Sequence, residues 1–97
     1  DFIFIIVQYY LIVKGEVMFS AEVFGQRLRA ARKARNEKQE DLGQFLGVGK
    51  SQISEMERGS TSTTLEKLSV ICQHYNVSAD YLLGLTDEPK PYKRKKN

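Results

Sequence analysis

Apolar residues recur three or four positions apart from Ser20 to Gly84, and short turns divide this stretch into five segments. This spacing places the apolar side chains of each segment on one helix face, so five short helices can share one core. The positions expected to face that core are Val23, Phe24, Leu28, Ala31, Ala34, Leu42, Phe45, Leu46, Ile53, Met56, Leu65, Leu68, Ile71, Cys72, Tyr75, Tyr81, Leu82 and Leu83. The pattern predicts an all-α fold, a compact five-helix bundle.

Residues that cap helices mark the expected boundaries. Ser20 and Ser78 are expected N-caps, and Thr63 with Glu66 is expected to form a capping box before the fourth helix. The five helices are expected from Ser20 to near Asn36, at Gln39–Leu46, at Lys50–Glu57, from Thr63 to Asn76, and after Ser78.

The chain of 97 residues has room for one domain. We expect an apolar leader or extended arm at residues 1–19, the folded domain at residues 20–85, and a flexible basic tail at residues 86–97. From position 89 onward the tail has five basic residues and no acidic one, and its polar composition predicts disorder.

Several classes of chemistry lack the residues that they need. Cys72 and His74 are the only cysteine and histidine, which is too few for a zinc site built from these ligands. A single cysteine fits a reducing compartment, so we expect a cytoplasmic protein. No nucleophile is paired with a base, and we therefore expect no enzyme, no metal and no cofactor.

Residues 2–13 are almost wholly apolar, aromatic or β-branched. The run is shorter than the ~20 residues of a membrane helix, it lacks the features of a signal peptide, and its propensity favours an extended strand. Lys14–Val17 can be encoded by a purine-rich stretch resembling a bacterial ribosome-binding site, which suggests a native start at Met18 and a translated leader before it. The alternatives are a dimerising strand and a membrane-surface anchor, although we expect no membrane contact.

The second and third expected helices are joined by a tight turn at Gly47–Gly49. Between Lys50 and Glu57 only Ile53 and Met56 are apolar, so the rest of this helix is left for solvent or for a ligand. Two short helices with a glycine-containing turn, the second polar and bearing small serines, suit insertion into the major groove of DNA.

The stretch from Phe24 to Gly84 resembles the phage repressor/Cro family of helix-turn-helix proteins, also called the xenobiotic-response-element family. The motifs that carry the resemblance are Phe24–Arg29, Arg32–Lys33, Gln39–Leu42, Leu46–Val48, Ser51–Gly59, Leu65–Leu68 and Tyr75–Gly84. The resemblance implies a lambda-repressor-like domain that binds a double-stranded DNA operator as a homodimer. It further implies a regulator of transcription, most often a bacterial or phage repressor.

The resemblance also implies roles for particular residues. Gln39 matches a glutamine that bonds a backbone phosphate. The recognition helix is implied to contact bases through Lys50, Ser51 and Glu55, and bases or phosphates through Gln52 and Ser54. Arg32 and Glu57 match a buried structural ion pair. We expect Arg27, Arg29 and Lys33 to form a solvated face and His74 to lie on a helix surface.

The sequence departs from the family pattern before and within the second helix. Glu37 and Lys38 replace an apolar and a small capping residue, so Asn36 with Gln39 is considered as a substitute capping box. Gly43 stands where alanine is common, at a propensity cost of roughly 1 kcal/mol.

Another role for the same fold is an antitoxin that binds both a toxin and DNA. A protein partner, a toxin or an anti-repressor, therefore stands beside DNA among the expected ligands. A membrane-tethered regulator is the remaining alternative, and it depends on residues 2–13.

Overall fold

The structure is a computed structural model, and it describes residues 1–14 and 19–93. Within these ranges the chain forms helices and no strand, with α1 at Phe2–Lys14, α2 at Ala21–Ala34, α3 at Gln39–Leu46, α4 at Lys50–Arg58, α5 at Leu65–Tyr75 and α6 at Ala79–Leu83. The all-α prediction is confirmed, and α2 to α6 are the five expected helices. The expected start at Met18 and the basic residues Arg94, Lys95 and Lys96 lie outside the described residues. None of the described helices is long and apolar enough to cross a membrane.

Two of the three expected caps are present. The hydroxyl of Ser20 accepts from the Val23 N–H at 3.2 Å, and that of Ser78 accepts from the Tyr81 N–H at 2.9 Å. The expected capping box is wrong by one residue, because Thr64 caps α5 by accepting from the Lys67 N–H at 3.2 Å.

Starting α5 one residue later also changes its first turn. Leu65, expected to face the core, is the first helical residue, and 81% of its surface is exposed. The Thr63 hydroxyl is buried and has no hydrogen-bond partner. Two adjacent threonines offer the same cap chemistry, and sequence pattern alone does not distinguish them.

One hydrophobic core joins α2 to α6. Its buried members are Phe24, Leu28, Leu42, Ile53, Met56, Ile71, Tyr75 and Leu82, all of them expected core positions. Ala34 and Phe45 were expected inside but are exposed. Ala34 is the last residue of α2, while the Phe45 ring stacks on His74 with 4.3 Å between ring centroids.

α2 and α4 approach each other closely at Gly25. A Cβ atom on Gly25 would lie 2.3 Å from the Met56 carbonyl oxygen and 2.7 Å from that of Glu57. Only glycine, which has no Cβ atom, allows the backbones of α2 and α4 to approach each other this closely. The contact fixes α4 against α2 through the buried side of α4.

The N-terminal segment is a helix, and the strand prediction for residues 2–13 is wrong. β-Propensity depends on cross-strand neighbours. A lone strand leaves its N–H and C=O groups unpaired, whereas a helix pairs most of them within itself. Large apolar side chains at Phe2, Ile3 and Phe4 are exposed on α1.

Residues just after Leu85 contact the bundle, while the flexible tail expected at residues 86–97 stays a prediction. The Arg27 guanidinium donates to the Thr86 carbonyl at 2.7 Å and to the Asp87 carboxylate at 2.8 Å. The Ser78 N–H donates to the Pro89 carbonyl at 2.9 Å. Arg27 was expected on a solvated face and is instead engaged by this segment.

Candidate nucleic-acid interface

The connection between α3 and α4 is a tight turn built on glycines. Gly47 ends α3 with a φ of 74°, a left-handed conformation that glycine adopts without steric cost. The Val48 N–H then donates to the Gly43 carbonyl at 2.8 Å. A Cβ atom on Gly43 would lie 2.6 Å from the Val48 carbonyl oxygen, so an alanine here would require the turn to move. Sequence reasoning found the propensity cost of Gly43 but not this contact.

The turn presents α4 with its apolar side inward and its polar side outward. Ile53 and Met56 are fully buried. Lys50, Ser51 and Gln52 are exposed, and Ser54 and Glu55 are half-buried. All five of the expected recognition residues therefore lie on one helix of nine residues.

Two of these polar side chains have partners within the domain. The Lys50 Nζ lies 4.0 Å from the Glu40 Oε1, and both side chains are more than half exposed, so this ion pair is weak. The Ser54 hydroxyl accepts from the Arg58 guanidinium one turn further along α4. Sequence reasoning did not identify Glu40 or Arg58, since each contact depends on how side chains are directed after folding.

Beneath α4 lies a polar network that joins three helices. The Arg32 guanidinium donates to the Glu57 carboxylate through Nε at 2.6 Å and Nη2 at 2.9 Å, and both side chains are buried. The hydrogen bond to Glu57 raises the pKa of Arg32 against the opposing effect of burial. The Gln39 amide, at the start of α3, donates to the Glu57 Oε1 at 3.0 Å. Since an amide nitrogen has two hydrogens, one remains to donate to a ligand.

The start of α3 is capped by the Asp41 carboxylate, and the Asn36 capping box is wrong. Asn36 has a φ of 55° and lies in the turn after α2. The N-cap is Lys38, whose backbone N–H donates to the Asp41 carboxylate at 3.1 Å. The carboxylate of an acidic residue in the first turn accepts a hydrogen bond from an N–H group that the helix leaves unpaired. Its negative charge also interacts favourably with the positive end of the helix dipole.

Glu37 anchors the same turn to α5. Its carboxylate accepts from the Tyr75 hydroxyl and lies 2.7 Å from the His74 Nε2. His74, expected on a helix surface, is half-buried on α5 and belongs to this cluster. Burial, followed by the hydrogen bond to Glu37, raises the pKa of Tyr75 above its ordinary value. No local sequence pattern predicts this contact, because Glu37 and Tyr75 are far apart in the chain.

Among the side chains that the structure describes, no group of histidine, cysteine, aspartate and glutamate could hold a metal ion. The candidate functional site consists instead of α3, the turn that follows it and the exposed polar face of α4. Together they form a helix-turn-helix.

Comparison with known proteins gives the same class. A family model described as helix-turn-helix matches residues 28–82, and the chain belongs to this family. The chain is 41% identical over 75 residues to the uncharacterized HTH-type transcriptional regulator YobD of Bacillus subtilis (strain 168), which covers 77% of this chain and 67% of YobD.

Two further similarities concern a solved structure and an antitoxin. The crystal structure of the P22 c2 repressor in complex with a synthetic operator matches with a TM-score of 0.59 and 38% identity, covering 63% of this chain and 92% of that one. The antitoxin PezA of Streptococcus pneumoniae serotype 4 is 27% identical over 62 residues, or 64% of this chain. The chain spans 39% of the length of PezA. The resemblance to the phage repressor/Cro family is confirmed.

Proposed function

We propose that this protein binds double-stranded DNA sequence-specifically and regulates transcription, acting as a repressor at an operator. The observation that carries the proposal is the outward polar face of α4, which follows a tight turn and has Ile53 and Met56 buried beneath it. A helix of this kind fits the major groove, which is ~12 Å wide. The printed descriptions of YobD as a transcriptional regulator and of the P22 c2 repressor as an operator complex support the same role.

The contact that each side chain is proposed to make with DNA follows from its chemistry. Gln39 keeps one amide hydrogen for a phosphate, and phosphate contacts set the register of the domain. Lys50 can donate to guanine O6 and N7, and Glu55 can accept from the amino group of cytosine. Ser51 is small and exposed, so it allows close approach to base edges, and Gln52 lies beside it.

The active form is proposed to be a homodimer. Two copies of α4 reach successive major grooves when the half-sites lie ~34 Å apart. Because a homodimer has two-fold symmetry, its operator is expected to be two-fold symmetric as well. Occupancy of a promoter by the dimer would exclude polymerase, without catalysis. Such a regulator acts on the DNA in the bacterial cytoplasm.

Selection of bound duplexes from a random pool tests this function. The expected result is a palindromic site with half-sites about one helical turn apart. Sedimentation of the protein with that duplex should give two chains per site. A pool that shows no enrichment over input would contradict sequence-specific binding.

An antitoxin is the second candidate, favoured by the similarity to PezA alone. An antitoxin must neutralise a toxin encoded beside it. Expression of the adjacent gene would then arrest growth, and co-expression of this chain would restore it. Growth that is unaffected by the neighbour in both cases excludes this role.

A further inference from the structure

An apolar surface on α1 and an apolar groove on the folded domain both lie uncovered. The first is the α1 stripe, made by Phe2, Ile5, Ile6 and Tyr9, which are 50–75% exposed. The second is a groove of about 160 Å³ at the start of α5, named here the α5 groove. We propose that the α1 stripe of each copy binds the α5 groove of a second copy, so that two copies exchange their α1 helices. The inference rests on the homodimer of the proposed function and names its interface.

The α1 stripe has the spacing of a helix that binds in a groove. Its four residues lie at positions i, i+3, i+4 and i+7, which share one helix face. Helices that bind in apolar grooves use anchors at this same spacing. Residues 2–13 carry no charge, and a helix that is apolar on every side is normally buried. Because the stripe is exposed, its own domain does not supply this burial.

The α5 groove has the chemistry and the size to accept such a helix. Its apolar lining residues are Phe19, Phe24, Leu65, Leu68 and Leu83. Residues 62–64 add hydroxyl side chains, and none of the described residues that line the groove is charged. A cavity of about 150 Å³ takes one benzene ring, so the groove suits the ring of Phe2 or Tyr9.

The short connection between α1 and the groove favours exchange between copies. Residues 15–18 alone separate α1, which ends at Lys14, from Phe19 on the rim of the groove. A helix that must fold back over so short a connection is readily exchanged with a second copy. The exchange is reciprocal and two-fold symmetric, and it therefore closes at two chains. Two-fold symmetry is also what the proposed operator requires.

The area that the exchange buries is sufficient for a specific dimer. Phe2 and Tyr9 are 75% and 69% exposed. Since an aromatic side chain can bury ~150–250 Å², these two rings offer roughly 300 Å² per helix. Two exchanged contacts, counted on both surfaces, then bury about 1,200 Å², which is the lower end of the range for specific interfaces.

The absence of charge on α1 favours a protein partner over a lipid surface. Helices that lie on a membrane surface have a polar face rich in lysine and arginine, and residues 2–13 contain neither. The helix-turn-helix family model matches residues 28–82, so the contact is also separate from the matched domain. The uncharged groove of a second copy is the surface that fits α1.

Sedimentation velocity of the full chain without DNA, at rising concentration, tests the exchange. The wild type is expected to dimerise reversibly. The Phe2→Ser/Tyr9→Ser variant should raise the dimer dissociation constant at least about tenfold, as loss of buried aromatic anchors does. Leu65→Lys should do the same, because it places a charge in the groove. Leu65 is 81% exposed, so this substitution leaves the core of the domain unchanged.

Leu85→Lys is the matched control, because Leu85 is 73% exposed and does not line the groove. This variant should dimerise like the wild type. A mixture of the Phe2→Ser/Tyr9→Ser and Leu65→Lys variants distinguishes exchange from pairing of α1 with α1. The two should bind each other more tightly than either binds itself, because only the mixed dimer keeps one intact contact between α1 and the groove.

A wild type that stays monomeric at every concentration would overturn the exchange. A Leu65→Lys dimer as tight as that of the wild type, or a mixture without preference for the mixed dimer, would do so as well. Binding of the wild type to phosphatidylcholine vesicles in place of self-association would assign α1 to lipid instead. Each of these results leaves the proposed function intact, because operator selection tests it separately. Failure to select any operator would remove the function and leave a dimer measured without DNA in place.

Discussion

The Arg32 guanidinium and the Glu57 carboxylate form a two-point ion pair between α2 and α4, with hydrogen bonds of 2.6 and 2.9 Å. The side chains are 9% and 3% exposed. A charge that loses its partner in such a place remains buried and uncompensated. The pair also orients Gln39, so it links the stability of the bundle to the surface proposed to meet DNA.

Glu57→Ala is expected to lower the free energy of unfolding by about 3–5 kcal/mol, because it leaves the Arg32 charge without its partner. Replacing both residues by apolar ones, as in Arg32→Met/Glu57→Leu, should cost much less. Urea denaturation of the three proteins measures the difference. Equal losses in the single and the double variant would contradict the ion-pair account.

Gly25→Ala is expected to lower the free energy of unfolding of the domain by about 1–3 kcal/mol or more. This is the usual cost of inserting extra atoms into a well-packed core. The new Cβ atom would lie 2.3 Å from the Met56 carbonyl oxygen, and backbone must move to admit it. Gly49→Ser is the matched control, since a Cβ there meets nothing within 4 Å and serine is a good N-cap for α4. A Gly25→Ala variant that melts with the wild type would refute the close crossing of α2 and α4.

The helices of the domain could be predicted because their signals are local. Apolar spacing, the serine caps and the glycine turns each depend on neighbours within a few positions. Ser20, Ser78 and the Gly47–Gly49 turn therefore act where they were expected.

Two capping boxes failed locally, because Thr64 and Lys38 take the N-cap positions expected at Thr63 and Asn36. Other features that the sequence did not predict depend on contacts between distant residues. Glu37 reaches Tyr75, and Arg27 reaches Thr86 and Asp87, and neither contact has a local signature. The composition of residues 2–13 favours a strand, but the described residues offer no partner strand. The backbone N–H and C=O groups of this segment instead hydrogen-bond to one another within the helix α1. The roles assigned to Lys50 and Glu55 remain predictions that only DNA binding tests.

Stability should fall at alkaline pH through Tyr75. Burial and the Glu37 hydrogen bond raise its folded-state pKa above the ordinary 10.0. From pH 10 upward the unfolded chain releases the phenolic proton while the folded chain keeps it, so stability falls as pH rises. The slope reaches about 1.4 kcal/mol per pH unit.

Comparison with Tyr75→Phe isolates this effect. The variant has no phenol to titrate at position 75, so the stability advantage of the wild type should shrink as pH rises above 10. Denaturation midpoints between about pH 8 and 11 measure it. An advantage that stays constant over this range would contradict the raised pKa.

Glu40→Gln is expected to increase binding to scrambled DNA by up to about fivefold, because it removes an acidic partner that lies 4.0 Å from the Lys50 Nζ. Glu88→Gln removes the same charge from the C-terminal segment and serves as the control. Fluorescence anisotropy at low salt compares the two. Equal gains would show that only the net charge matters, and that Glu40 has no particular effect on Lys50.

The most direct test measures the affinities of Lys50→Ala and Glu55→Ala for the selected operator and for a scrambled duplex. Lys50→Ala should cost roughly 1–3 kcal/mol on the operator and relax the choice at one base position. Glu55→Ala should lose discrimination at a cytosine and bind scrambled DNA as well as the wild type or better, since it removes a negative charge near phosphates. If each substitution shifts both affinities by the same factor, neither residue reads sequence, and α4 is not the recognition helix.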